Sequence, residues 1–149
     1  MVLHGIRMST QDVDIIPLNF PPSPHIKTKE ASTTTHFKKC VKAVAKRFHL
    51  RQDWLNDVAS MFLSGLGPEP EWRYWRSYGP LEIYLPPKEY ILAAAYFADR
   101  PQDATDIKSL QTNLNIRKRE QAQELLNRYI YERWQKEYRI FKTLDRIFL

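Results

Sequence analysis

The stretch LEIYLPPKEYILAAAYFADRP, running from Leu81 to Pro101, constrains the fold more than any other. Leu81–Leu85 alternates apolar and polar residues around Glu82, the pattern of a half-buried strand. Pro86-Pro87 ends it, and Pro87 suits the first turn of the helix that follows. The helix KEYILAAAYFADR is apolar nearly all round. A helix with no polar face has to sit in the centre of a core, covered by other elements. Arg100-Pro101 breaks it, because proline lacks the N–H that continues a helix and restricts the residue before it.

The covering elements are legible on both sides. Downstream, Asp103 starts a helix over DATDIKSLQTNL, which Asn113–Asn115 ends. From Arg117 to about Ile147, apolar and aromatic residues recur every three or four positions: Leu126, Ile130, Trp134, Tyr138, Phe141, Leu144 and Phe148. That stripe predicts one long C-terminal helix, whose apolar face docks on the core or serves a partner. Upstream, Val13, Ile15 and Ile16 precede Pro17 and read as a short strand within Val13–Leu18, after a first apolar segment at Val2–Ile6. Pro21, Pro22 and Pro24 forbid regular structure. A helix capped near Thr34 or Thr35 then carries Phe37, Val41, Val44, Ala45 and Phe48 on one side and lysines on the other. Asp53 is placed to cap a short helix, DWLNDVASMFL, which Gly65, Gly67 and Pro68 stop.

A chain of 149 residues suits one domain with a real core, and 43% hydrophobic with 27% charged residues marks a globular protein. No apolar run approaches the roughly 20 residues of a membrane span, and the first residues show no long apolar leader. Cys40 is the single cysteine, so no internal disulfide forms and a reducing, cytoplasmic setting is expected. It lies in a basic amphipathic stretch, where the expectation is an unreactive structural thiol. His4, His25, His36 and His49 are scattered and fit no zinc spacing.

Two features carry chemistry. In STQDVDII, Asp12 and Asp14 stand at alternate positions, which share one face of a strand. Two such carboxylates offer hard oxygen ligands to magnesium, or they are the polar end of a strand. The second feature is EPEWRYWRSYGP, where Arg73 and Arg76 interleave with Trp72, Tyr74, Trp75 and Tyr78. Arginines among aromatics stack bases and hold phosphates, and the same residues also build an ordinary hairpin face. The net charge of +6 favours polyanionic partners such as nucleic acid.

Taken in order, TQDVDII, DWLND, LEIYLPPKEYILAAAYFADR and DATDI resemble the minimal nucleotidyltransferase superfamily. Within it the likeness is to the nucleotidyltransferase toxins of abortive-infection type toxin–antitoxin systems and a related bacterial group. The resemblance covers roughly Leu3 to Tyr131. It implies an α+β fold, a truncated nucleotidyltransferase-like fold with a small mixed sheet flanked by helices. It also implies magnesium-dependent transfer of a nucleotidyl group from a nucleoside triphosphate to RNA or protein. By resemblance Asp12 and Asp14 are the catalytic, magnesium-binding pair, and a third acid is Glu82 or, in competition, Asp57. Arg100, Asp103 and Asp106 match the family's R-x-x-D-x-x-D segment. They are candidate nucleotide-binding residues (Arg100 and Asp103 first), or they form an ion-pair network between two helices.

Two departures follow from the same comparison. The family's Gly-Ser or Gly-Gly phosphate turn lies some tens of residues before the acidic pair, and only eleven residues precede Asp12 here. Ala95 stands where relatives usually carry lysine. The expectation is a nucleotidyltransferase-like domain over residues 1–131, lacking its first strand and most of its first helix. A helical extension over 132–149 follows, able to cover the core or to join two copies. The alternative is a non-enzymatic module that binds RNA or a cognate antitoxin-like protein.

Overall fold

The computed structural model describes residues 12–17, 35–63 and 65–149. They fall into two compact units, one holding 12–17 and 35–63 and the other 65–149. Helices dominate both, each with one two-stranded sheet, and the chain is α+β. The expectations for Val2–Ile6, the Pro21–Pro24 stretch, His4, His25 and the Thr34 cap lie outside the described residues.

In the first unit, β1 (Val13–Asp14) pairs in parallel with β2 (Leu55–Asn56). The Val13 N–H donates to the Trp54 carbonyl at 2.6 Å and the Ile15 N–H to the Asn56 carbonyl at 2.8 Å. Between them runs α1 (Thr35–Phe48), which buries Val41 and Ala45 as its spacing predicts and leaves Phe48 exposed. The Trp54 indole N–H donates to the Val41 carbonyl at 3.2 Å and ties β2 to α1. α2 (Val58–Leu63) follows. The helix expected to start at Asp53 thus starts later. Leu55 and Asn56 are drawn into a strand by a partner about forty residues away, a tertiary effect that local spacing does not carry. Asn56 then caps α2, its side-chain oxygen accepting from the Val58 N–H at 3.1 Å.

The second unit opens with an antiparallel hairpin, β3 (Arg73–Tyr78) and β4 (Leu81–Leu85). α3 (Lys88–Ala98) is the predicted core helix and buries Tyr90, Leu92, Ala93 and Tyr96. Asp99, in the left-handed region at φ 48°, ends it. A 3-10 turn at Pro101–Asp103 leads into α4 (Ala104–Asn113), which buries Ile107 and Leu110. α5 (Arg119–Tyr129), α6 (Glu132–Glu137) and α7 (Ile140–Phe148) complete the unit.

Two expectations change here. The described strands form two separate sheets, one parallel and one antiparallel, in place of one mixed sheet. The long C-terminal helix is divided in three. Ile130 is extended at φ −126°, ψ 121°, and the buried Gln135 side chain donates to its carbonyl at 2.7 Å, supplying the bond that the next helical turn would have made. Arg139 takes the left-handed conformation at φ 53° and resets the phase again. In consequence α7 buries Ile140, Thr143 and Leu144, while Tyr138 and Phe141 of the predicted stripe are exposed. α7 packs on α3 and α5, held at its rim by Arg146 on Asp99 and by Arg119 on Asp145 at 2.6 Å.

Candidate functional site

Asp14 ends β1 and Asp12 directly precedes it, and both are exposed, as is Val13 between them. The parallel ladder to β2 fixes Val13 and Asp14, and Asp12 stands one residue ahead of the pairing. The pairing also brings in a residue that the sequence reading passed over. Arg51, in the turn before β2, grips Asp53 with two hydrogen bonds, Nε to Oδ1 at 2.9 Å and Nη2 to Oδ2 at 2.7 Å. That grip raises the guanidinium pKa, with a smaller push from the charge of Asp12, and holds the Asp53 carboxyl below its ordinary value. Arg51 is therefore within electrostatic reach of Asp12. No local pattern announces it, because the contact depends on β1 meeting β2.

Two hollows with lysines in their walls lie in the same unit. One, of about 210 Å³, runs between α1 and the strand pair and is lined by Ile15, Lys38, Val41, Lys42, Asn56 and Asp57 among others. An open one of about 560 Å³ is lined by Lys42, Ala45, Lys46, His49, Leu50 and Gln52. The lysines that line them belong to the basic side of α1.

The remaining candidates are spread over both units. Asp57 is half-buried at the start of α2, where its carbonyl accepts from the Ser60 hydroxyl at 2.6 Å. Glu82 is on β4 in the second unit, exposed, and accepts from the Tyr84 hydroxyl at 2.7 Å. Arg100 and Asp103 pair at 2.7 Å across the turn between α3 and α4. Asp103 and Asp106 are both buried there. The Arg100–Asp103 pair is local to that single turn, and the Arg100 side chain is 58% exposed.

Among the described residues, no group of three or more His, Cys, Asp or Glu is placed to share a metal ion. The acidic pair still suits magnesium, which is commonly held by one or two carboxylates with substrate phosphates filling other positions. Cys40 is exposed on α1. Among the described residues no helix is long and apolar enough to cross a membrane. Comparison with protein-family models, curated proteins and solved structures gives no match to this chain.

Proposed function

We propose that the chain is a nucleotidyltransferase-like protein that works on a nucleoside triphosphate and RNA. The observation that carries this reading is the exposed Asp12 and Asp14, two residues apart where the chain enters a strand whose register is fixed by β2. Magnesium bound there would neutralise the triphosphate and favour attack at phosphorus. Asp12 and Asp14 hold the cation, and Lys38 and Lys42 attract phosphates to the neighbouring hollow. Exposed Cys40 fits work in the reducing cytoplasm. Exposed Tyr138 and Phe141 offer a surface for a second copy or an antitoxin-like partner.

The test is incubation with each labelled nucleoside triphosphate, magnesium and a tRNA pool. Wild type transfers label, and Asp12→Ala and Asp14→Ala each lose transfer by on the order of 100-fold or more. No transfer by wild type under any of the four nucleotides contradicts the reading.

A further inference from the structure

The β3–β4 hairpin exposes more aromatic surface than its own unit uses. Tyr74 and Tyr78 are 59% and 54% exposed, and Trp75 and Tyr84 are each 38% exposed. Its root is anchored: Trp72 meets Tyr90 of α3 edge-on at 6.3 Å, and Tyr90 meets Tyr129 of α5 at 5.5 Å. Its tip turns at Gly79, where φ is +58°. The hairpin is therefore a held ribbon with an open outer part.

Its two faces differ in charge. The register pairs Arg73 with Leu85, Arg76 with Ile83 and Tyr78 with Leu81 on one face. Tyr74 opposite Tyr84, and Ser77 opposite Glu82, make the other. The second face satisfies itself: Tyr84 donates to Glu82, Tyr74 and Ser77 share a bond of 2.8 Å, and the two tyrosine rings pack edge-on at 5.7 Å. Glu82 is the one carboxylate of the two strands, and it lies on that second face. The first face keeps both guanidinium groups. Among the described residues neither Arg73 nor Arg76 has a carboxylate partner.

A register shift between Tyr74 and Arg76 adds the decisive geometry. In a regular strand the neighbours Trp75 and Arg76 point to opposite faces. The bulge breaks that alternation, and the Arg76 guanidinium lies 5.2 Å from the centre of the Trp75 ring and 6.0 Å from that of Tyr78. A cation is thus held against two exposed rings.

We propose that the Arg73, Trp75, Arg76 and Tyr78 side of this hairpin binds single-stranded nucleic acid. Unpaired bases stack on Trp75, Tyr78 and the guanidinium plane of Arg76, and Arg73 and Arg76 contact the phosphates. Single strands are favoured over duplex because only unstacked bases present a free face to the rings. The overall charge of +6 adds attraction at long range. This binding is independent of the acidic pair, so it persists in Asp12→Ala and Asp14→Ala variants whatever the outcome of the transfer assay.

The test is fluorescence anisotropy of the full chain with labelled 12-nucleotide oligo-uridine, oligo-thymidine and a duplex of equal length. Both single strands bind more tightly than the duplex. Trp75→Ala weakens binding by about tenfold. Arg76→Ala lowers the slope of log K against log salt by about 0.7. Arg76→Lys restores that slope without restoring full affinity, since lysine keeps the charge and loses the stacking plane. Each side chain is exposed, so thermal unfolding matches wild type; a variant that melts early is replaced in the comparison by the other position. Affinity unchanged in both Trp75→Ala and Arg76→Ala overturns the proposal. Equal affinity for duplex or heparin overturns it too, and so does self-association that requires Trp75 without any oligonucleotide binding.

Discussion

Gly67 shows how a single residue sets the second unit. A Cβ placed there would run into the Tyr129 carbonyl, with the Ile130 nitrogen 3.0 Å away. The close approach lets the Leu66 carbonyl accept from the Tyr131 N–H at 2.7 Å and the Gly65 carbonyl accept from the Trp134 indole N–H at 3.0 Å. Gly67→Ala must push backbone apart, and a loss of about 1–3 kcal/mol is expected in urea unfolding. Gln135 is the complement. Its side chain donates to the Ile130 carbonyl and accepts from Gln123 at 2.7 Å, so Gln135→Ala strands buried polar groups and costs about 1–3 kcal/mol in the same measurement. Neither role is visible locally: Gly67 reads as a helix stop, and Gln135 as an ordinary polar position in a helix.

Tyr96 carries the pH prediction at this scale. Burial pushes its phenol from an ordinary value of 10.0 up to about 12, against a smaller opposing effect of the hydrogen bond from Gln111. The folded pKa lies above the unfolded one, so the neutral phenol stabilises the fold fully below pH 10 and that contribution is lost as pH rises through about 12. Absorbance of tyrosinate on alkaline titration should show a last, unfolding-linked step in wild type that Tyr96→Phe lacks. An identical titration of the two proteins would contradict the assignment.

At the scale of elements, legibility tracked how local each cause was. The strand at Leu81–Leu85 and the core helix after Pro87 follow from neighbouring residues and stand where the pattern put them, and the helix ends at Asp99, just before Arg100-Pro101. β2 was missed because its partner is distant. The breaks at Ile130 and Arg139 were missed because no proline or glycine marks them, while the apolar spacing runs on across both. The acidic pair was legible as a pattern, but the charge coupling of Asp12 to Arg51 was not. The C-terminal helices yield a further expectation. α7 buries Ile140 and Leu144 in the unit it shares with α3 and α5. Removing Glu132–Leu149 should therefore lower the melting temperature of the 65–149 unit and raise binding of an apolar dye. A truncated chain that melts like wild type would show that α6 and α7 add nothing to this core.

At the scale of the whole molecule, each unit carries one candidate surface. The first holds Asp12, Asp14 and the basic side of α1, and the second holds the aromatic hairpin. The functional reading rests on the first. Its most direct test is titration of Mn²⁺, a hard cation that carboxylates accept in place of magnesium, followed by the free-ion electron paramagnetic resonance signal. Wild type is predicted to remove free Mn²⁺ from solution, and the double variant Asp12→Asn, Asp14→Asn, which keeps the shape and removes the charge, to leave it free. Equal uptake by both proteins, or none by either, would contradict the account.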